Sequence, residues 1–516
     1  MVTEINEPAA ASTFPLTLGH VWEDRCRKTP NATFLIEDDI SFSYKQVDQL
    51  SEQAKLLLQQ YRVNSADVVG IQLTTSVIYV ALIIACFKCE VTVLPLNPHL
   101  DREEAAYIIK KIEPAVIFTD EKNNTLMNLA ASHQLSYQAK PLTFAEHTLF
   151  ALRQLDNTVT SLADVRAAQP DDIGDRSAVI LCTSGTTSFS KGSILSHKNV
   201  LYSELQFNRV YDINAADILI LPSGFYHAIG FHHGIISTIL AGSTLVLMPH
   251  YSSAEFRKLI ARYHCTYLVT VPTVIYDVLD WYTKKSSLTR IISGGALLSS
   301  DLLLRAKKVG LPIYNIYGLT ESVPFLCTSP AYFKMHHGCT TAGYSIAGME
   351  VKLISSKAAV ASPNTMGEII VRGPTVFKGY YHDEQETKKA LTQNGWFRTG
   401  DLGHFTTDQA LVVDGRIKDT IIRGGENISA YIVERYLLSH PEIKEAAVIG
   451  ISDQRLGERI GAYIVMKPAQ RPLSLTEVKT FFKQQHIAKK FWPEKVTVLS
   501  ALPKTSSGKI KKYLLN

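Results

Sequence analysis

The positions of apolar and polar residues predict alternating helices and strands over the first 300 residues. Ser43 and Gln46 have the spacing of a helix capping box, and apolar side chains then recur every three or four residues as far as Leu58. Residues 91–96 and 115–118 are short apolar runs of the kind that form buried strands. This alternation is typical of layered α/β proteins.

The same pattern continues along the chain, with strand-like runs at residues 218–221, 244–248, 267–271 and 290–293. Residues 178–182 and 193–196 also have the composition of strands, and a polar loop separates them. We therefore predict that this loop connects two strands.

A second, smaller unit is predicted to begin near residue 419. Strand-like runs at residues 445–451, 460–466 and 496–499 flank a helix that Ser474 and Glu477 would cap. The pattern favours a compact α+β domain after a large α/β domain. We place the domains at residues 1–417 and 418–516.

The composition supports a large protein without membrane spans. The chain has 516 residues, 46% of them hydrophobic, which is enough for two or more cores. Its longest apolar stretch, residues 77–87, is far shorter than the roughly 20 residues that span a bilayer. Residues 1–14 contain no apolar core of a signal peptide. We expect no transmembrane segment and a cytoplasmic location.

The charge is small but unevenly distributed. The net charge is +5; residues 419–516 hold 16 basic and nine acidic side chains, so this part carries +7 and the rest −2. No basic run is interleaved with aromatic residues, so nucleic-acid binding is not expected. Seven scattered cysteines do not form a disulfide framework, and Cys86 and Cys89 are expected to be buried small side chains.

Two segments have the residue types that hold phosphate. Residues 183–192 combine glycines, hydroxyls and Lys191, and residues 505–509 end in Lys509. Neither is a Walker A loop, because Gly192 follows Lys191 in the wrong order and Ile510 follows Lys509. Each segment alone is equally compatible with a solvated turn.

Six segments together resemble the adenylate-forming superfamily, which includes acyl- and aryl-CoA ligases, peptide-synthetase adenylation domains and beetle luciferases. In order along the chain they are residues 183–192, 317–321, 395–401, 415–419, 424–427 and 502–509. The resemblance extends from about residue 17 to 512. It implies a large AMP-binding domain of α/β sheets with a β-barrel-like subdomain, and a small mobile α+β domain.

The resemblance also implies a two-step reaction. A carboxylic acid would first react with ATP to give an acyl-adenylate and pyrophosphate, and a thiol would then displace AMP. The implied ligands of the β- and γ-phosphates are Thr183, Ser184, Gly185, Thr186, Thr187 and Lys191. Thr320 would contact the α-phosphate, and Glu321 would bind Mg²⁺, which prefers oxygen ligands.

The nucleoside would be held by a separate group of residues. The resemblance implies an adenine wall at Gly294, Gly295 and Ala296, with Asn315 and Tyr317 as further adenine contacts and Asp401 and Arg416 as ribose contacts. Lys509 would bridge the substrate carboxylate and the α-phosphate. Lys418 would be the hinge of the small domain, and Gly424 and Gly425 would line the thiol tunnel.

The acid and its acceptor are less well defined. His227 resembles the residue that gates the carboxylate end of the substrate, although it could also be a core histidine. No aspartate lies between Leu221 and His232 to meet a substrate ammonium, so a fatty or aryl acid is favoured over an amino acid. The oligomeric state is not predicted.

Several functions remain open on these residues. The leading interpretation is an acyl-CoA ligase that uses ATP, Mg²⁺ and CoA. The alternatives are transfer to the phosphopantetheine of an acyl carrier protein, a luciferase-like oxygenase, or an inactive binding protein. Because the sequence ends seven residues after Lys509, we expect no fused carrier domain. Ser188, Ser190 and Ser193 depart from the residues usual in the phosphate loop of the family.

Overall fold

The computed structural model describes residues 17–120, 124–132, 134–154, 172–183, 190–296, 298–329, 341–354, 365–504 and 510–515. Its α-helices are α1 Leu18–Lys28, α2 Tyr44–Gln60, α3 Val77–Lys88, α4 Arg102–Ile112, α5 Asn124–Ala131, α6 His197–Tyr211, α7 Ser237–Ala241, α8 Ser253–Tyr263, α9 Pro272–Trp281, α10 Ser300–Val309, α11 Glu384–Ala390, α12 Ala430–Leu438 and α13 Leu475–Gln484. Within the described ranges, no helix is long and apolar enough to cross a bilayer.

The strands of the large domain come first along the chain. They are β1 Thr33–Glu37, β2 Ile40–Ser43, β3 Val68–Gln72, β4 Thr92–Pro95, β5 Val116–Asp120, β6 Tyr137–Phe144, β7 His147–Gln154, β8 Ser177–Thr183, β9 Lys191–Ser196, β10 Ile218–Leu221, β11 Thr244–Leu247, β12 Tyr267–Thr270, β13 Arg290–Ser293, β14 Ile313–Tyr317, β15 Cys327–Thr328, β16 Tyr344–Ser345, β17 Glu350–Ile354, β18 Gly367–Arg372, β19 Gly379–Tyr380, β20 Phe397–Phe405 and β21 Leu411–Arg416. The later strands are β22 Thr420–Arg423, β23 Glu426–Ser429, β24 Ile443–Asp453, β25 Gly457–Met466 and β26 Lys495–Val498.

Two large mixed sheets form the layered α/β part of the molecule. One has the order β16-β15-β14-β13-β12-β10-β11-β1-β2, and the other has the order β19-β9-β8-β4-β3-β5-β7-β6. Helix α3 is buried on every side, as the continuous apolar run at residues 77–87 requires, and Cys86 is part of this core. The predicted layered α/β architecture is confirmed.

A four-stranded antiparallel sheet, β17-β18-β20-β21, corresponds to the predicted β-barrel-like subdomain. Its last strand ends at Arg416, and a 3₁₀ turn, Ile417–Asp419, leads to β22. The predicted hinge residue Lys418 lies in this turn.

The C-terminal part has its own sheet and its own apolar core. Strands β23-β22-β25-β24 form the sheet in this order, and β26 pairs with β25 in parallel. Helices α12 and α13 contribute apolar side chains such as Val433 and Phe482 to the core. Ser474 and Glu477 form the predicted capping box of α13. This part therefore has the predicted α+β class.

Candidate active site

The ends of the first phosphate segment are paired with each other. Thr183 is the last residue of β8 and Lys191 is the first of β9, and the two are register partners in an antiparallel pair. The Thr183 hydroxyl donates a hydrogen bond to the Lys191 carbonyl at 3.3 Å. The segment therefore joins two strands, as predicted. Four of its predicted phosphate ligands lie outside the described residues: Ser184, Gly185, Thr186 and Thr187.

Ser190 forms a contact that explains how this end of the segment is held. It occupies the place where the family usually has proline, and its hydroxyl donates to Glu104 Oε1 of α4 at 2.5 Å. Its side chain is buried, so the hydroxyl needs such a partner. Ser188, another departure from the family pattern, lies outside the described residues.

Lys191 lies in a partly buried polar cluster. Its ammonium forms an ion pair with the carboxylate of Glu386 and lies 5.0 Å from the centre of the Tyr380 ring. The Tyr380 hydroxyl donates to Glu321 Oε1 at 2.9 Å. Burial, and then the charge of Glu321, raises the pKa of Tyr380, so this hydroxyl is protonated at neutral pH. One tyrosine thus connects the predicted phosphate lysine to the predicted magnesium carboxylate.

The sheet register explains why Tyr380 reaches Lys191. Tyr380 in β19 pairs with Ser193 in β9, and Lys191 lies two residues before Ser193 in the same strand. Because residues two apart share a face of a strand, the side chains of Tyr380 and Lys191 are neighbours. Sequence reasoning missed Tyr380 and Glu386. A two-residue strand carries no periodic signal that would have indicated Tyr380.

Thr320 and Glu321 lie in a 3₁₀ turn, Thr320–Ser322, just after β14. The Glu321 backbone carbonyl accepts a hydrogen bond from Phe377 N at 2.8 Å, and its side chain is mostly buried. The turn ends at Val323, whose φ of +46° is unusual for a β-branched residue. Such backbone strain costs about 1–3 kcal/mol and indicates that the surroundings hold this turn in place.

Asp401 is connected to two other predicted nucleoside contacts. Its Oδ2 accepts a hydrogen bond from the Tyr317 hydroxyl at 2.8 Å, and its Oδ1 lies 3.1 Å from Arg416 Nε. Asp401 in β20 and Arg416 in β21 are register partners. Burial raises the pKa of Asp401 above the ordinary value of 3.8, and this effect exceeds the opposing effects of the Arg416 charge and the Tyr317 hydrogen bond. The buried Asp401 side chain thus accepts a hydrogen bond from one hydroxyl and pairs with one guanidinium.

The predicted adenine contacts lie directly after β13 and within the neighbouring strand β14. Gly294 comes directly after β13, and a Cβ atom there would lie 2.6 Å from Ile316 Cγ1, so a larger residue would require the Ile316 side chain of β14 to move. Gly295 has a φ of +78°, and both it and Ala296 are exposed. Asn315 Nδ2 donates to the Thr341 carbonyl at 2.9 Å, which fixes the orientation of its amide.

His227 lies between β10 and a π-helix, Ile229–Ile236. Its backbone N–H donates to the Gly224 carbonyl at 3.1 Å, and its ring lies 4.4 Å from that of Tyr226. A Cβ atom at Gly230 would lie 2.2 Å from the Gly224 carbonyl oxygen, so the close turn requires glycine. π-Helical turns occur often at functional sites. The role of His227 as a gate stays a prediction.

A buried side-chain hydrogen bond connects this π-helix to α6. His233 Nδ1 lies 2.9 Å from Glu204 Oε2, and both side chains are inaccessible to solvent. The neighbouring Ser203 hydroxyl lies 3.1 Å from Glu204 Oε1 and 3.0 Å from the carbonyl of Val323. The pair thus holds the π-helix and the turn after Glu321 against the same helix. Sequence reasoning missed this contact because a hydrogen bond between two buried polar side chains leaves no periodic pattern in the sequence.

The remaining predicted residues belong to the C-terminal part. Gly424 and Gly425 form the turn between β22 and β23 with φ of +58° and +86°, which favours glycine at both positions. Lys509 lies outside the described residues. The residues on either side of its segment, Lys504 and Ile510, form an antiparallel bridge.

The structure therefore brings five of the predicted site residues into two connected groups. Lys191, Tyr380 and Glu321 form one, and Tyr317, Asp401 and Arg416 form the other. The Tyr317–Thr320 segment joins them through the backbone, and the charge of Glu321 also raises the pKa of Asp401. Carboxylates, hydroxyls and a lysine arranged in this way can hold a magnesium-bound polyphosphate and a ribose.

Models of known protein families match two parts of the chain. The family model described as AMP-binding enzyme matches residues 22–381, and the model described as AMP-binding enzyme C-terminal domain matches residues 432–509. The first match alone covers more than half of the chain. The predicted adenylate-forming superfamily is therefore confirmed.

Individual relatives cover nearly the whole chain. The medium-chain fatty-acid–CoA ligase of Escherichia coli strain K12 is 31% identical over 516 residues, which is 97% of this chain and 90% of that protein. The oxalate–CoA ligase of Arabidopsis thaliana is 29% identical over 511 residues, covering 97% and 98%.

Among solved structures, the o-succinylbenzoate coenzyme A synthetase MenE of Bacillus subtilis in complex with ATP and a magnesium ion has a TM-score of 0.81. It is 26% identical and the match covers 96% of this chain and 98% of that one. The comparisons confirm the prediction of an AMP-forming acid–thiol ligase. The chain belongs to the AMP-binding enzyme family.

Proposed function

We propose that this protein activates a carboxylic acid with ATP and then transfers the acyl group to CoA. In the first step a carboxylate oxygen attacks the α-phosphorus, and pyrophosphate leaves. In the second step the CoA sulfur attacks the acyl carbon, AMP leaves, and the thiol loses its proton. The observation that carries this proposal is the connection of Lys191 to Glu321 through Tyr380, next to the Tyr317–Asp401 hydrogen bond.

Each side chain has a part suited to its chemistry. Lys191 would hold the β- and γ-phosphates, and Thr320 would donate its hydroxyl to the α-phosphate. Asp401 would accept the ribose hydroxyls, with Arg416 as a second ribose contact. Mg²⁺ prefers hard oxygen ligands, and the carboxylate of Glu321, which accepts a hydrogen bond from the Tyr380 hydroxyl, would be such a ligand. Mg²⁺ bound there would supply positive charge to the phosphates that leave.

For the first step we propose Lys509 as the cation that joins the substrate carboxylate to the α-phosphate. The small domain would rotate about Lys418 between the steps and bring Gly424 and Gly425 to the thiol. Preorganised positive charge is usually the largest contribution to catalysis of this kind. We propose residues 1–417 and 418–516 as the two moving bodies.

For the acid we propose a medium-chain fatty acid or an aryl acid. The segment after β10 that carries His227 has buried aromatic side chains at Phe225 and Phe231. It contains no aspartate to meet a substrate ammonium. The similarity to an enzyme named as a medium-chain fatty-acid–CoA ligase supports the fatty acid as the first choice. The names of both relatives support CoA as the acceptor.

Pyrophosphate release across a panel of carboxylic acids, with and without CoA, tests the proposal. We expect release that depends on the acid and on Mg²⁺, and mass spectrometry should detect an acyl-CoA only when CoA is present. Lys509→Ala should abolish pyrophosphate release and retain ATP binding. The absence of release with every acid would refute the activity. Acyl-AMP that accumulates even when CoA is present would refute CoA as the acceptor.

A further inference from the structure

We propose that Glu386 is a positioning residue that holds Lys191 while no nucleotide is bound and gives it up to ATP. Glu386 would thereby set the affinity for ATP. This inference rests on the proposed role of Lys191 in phosphate binding.

The contact itself resembles that of a lysine with a phosphate. The ammonium of Lys191 meets one carboxylate oxygen of Glu386 and also lies over the Tyr380 ring. The Lys191 and Glu386 side chains are only 28% and 30% exposed. The hydrogen bonds from Lys191 and then from Lys389 lower the pKa of Glu386, so its carboxylate is ionised at neutral pH. A phosphate oxygen and this carboxylate would compete for the same ammonium.

Glu386 is held firmly in the place from which it reaches Lys191. Its backbone N–H donates to Asp383 Oδ1 at 3.1 Å, at the beginning of α11. The other oxygen of Asp383 accepts from Lys111 of α4 at 2.6 Å. The beginning of α11 is therefore fixed to the body of the large domain, and Glu386 is a fixed anion rather than a freely rotating surface residue.

Glu386 also has a second cation, which allows it to release the first. Lys389 Nζ lies 2.6 Å from Glu386 Oε1, whereas Lys191 contacts Oε2. When Lys191 binds a phosphate instead, the Glu386 carboxylate still pairs with Lys389 and is still partly exposed to solvent. The exchange therefore leaves no unpaired buried charge, which would be costly.

The chain offers a matched control on the same helix. Glu384 is 89% exposed and pairs with Lys388, so Glu384→Gln removes the same charge without touching Lys191. Partly exposed ion pairs contribute up to about 1 kcal/mol, which corresponds to about 5-fold in affinity. We therefore expect Glu386→Gln to lower the Kd for ATP about 2- to 5-fold, and Glu384→Gln to leave it unchanged.

Calorimetric titration with Mg²⁺–ATP, without an acid, measures these affinities directly. In steady-state assays Glu386→Gln should lower the KM for ATP and leave the KM for the acid unchanged. The inference is overturned if Glu386→Gln raises the Kd, leaves it unchanged, or has the same effect as Glu384→Gln. If the wild-type protein binds ATP but releases no pyrophosphate, the proposed function fails and the titrations still decide the role of Glu386.

Discussion

Replacing Asp401 with asparagine should weaken the binding of ATP without lowering the stability of the folded protein. The substitution keeps the shape of the side chain and removes its charge. In the folded protein Asp401 is 4% exposed and contacts Tyr317 and Arg416. Asparagine can still accept the hydrogen bond of the Tyr317 hydroxyl through its amide oxygen. The variant therefore changes the charge at the site with little change of packing.

The loss of ATP affinity can be worked out from the hydrogen bonds that disappear. A carboxylate that accepts a ribose hydroxyl forms a charge-assisted hydrogen bond, which is worth about 1.5–3 kcal/mol. An amide presents one acceptor oxygen instead of two, so at least one of two such bonds is lost. We expect the Kd for ATP to rise about 10- to 150-fold in Asp401→Asn.

The effect on stability should have the opposite sign or be close to zero. Because the folded pKa of Asp401 is raised above 3.8, ionisation of Asp401 opposes folding at neutral pH. This cost is present above the folded pKa and disappears below 3.8, where Asp401 is protonated in both states. Asp401→Asn should thus be at least as stable as the wild type at pH 7. The difference in stability between Asp401→Asn and the wild type should decrease as the pH falls towards 4.

Thermal unfolding from pH 4 to 8 and titration with ATP measure the two effects. Asp408→Asn is the control, because Asp408 is exposed in the turn between the same two strands and should leave ATP binding unchanged. A melting temperature several degrees below that of the wild type at pH 7 would contradict the argument from burial. An unchanged Kd for ATP in Asp401→Asn would contradict the ribose contact.

Two further variants test the hinge and the buried hydrogen bond between His233 and Glu204. Lys418→Pro fixes φ in the turn and restricts residue 417, so pyrophosphate release should persist while acyl-CoA formation falls; equal loss of both would exclude a hinge. Glu204→Ala removes the buried hydrogen-bond partner of His233 and should lower the free energy of unfolding by about 1–3 kcal/mol, measured with urea. Glu204→Gln retains an acceptor for His233 and should lower the free energy of unfolding clearly less than Glu204→Ala does. Equal losses in the two variants would show that the hydrogen bond to His233 does not contribute to stability.

The buried strands were the part of the fold most readily predicted. The run at residues 218–221 coincides with β10, because a strand buried on both faces needs a continuous apolar run. The run at residues 290–293 coincides with β13, whose two central residues are apolar and buried. Strand β6 was not predicted. Half of its positions are exposed, and the strand is held in place by its pairing with β7. Such pairing between neighbouring strands leaves only a weak trace in the apolar pattern.

Some residues of the candidate active site were also predicted from the sequence, and others were not. Residues proposed to touch the nucleotide, such as Glu321 and Asp401, lie in segments that the resemblance to the adenylate-forming superfamily identifies in the sequence. Tyr380 and Glu386 carry no such mark, because they act on Lys191 through the pairing of β19 with β9 and through the anchoring of α11. A shift of that register by one residue would turn the Tyr380 ring to the other face of the sheet and separate Lys191 from Glu321. The connection between the phosphate lysine and the magnesium carboxylate is therefore a property of strand register, which the local sequence does not specify.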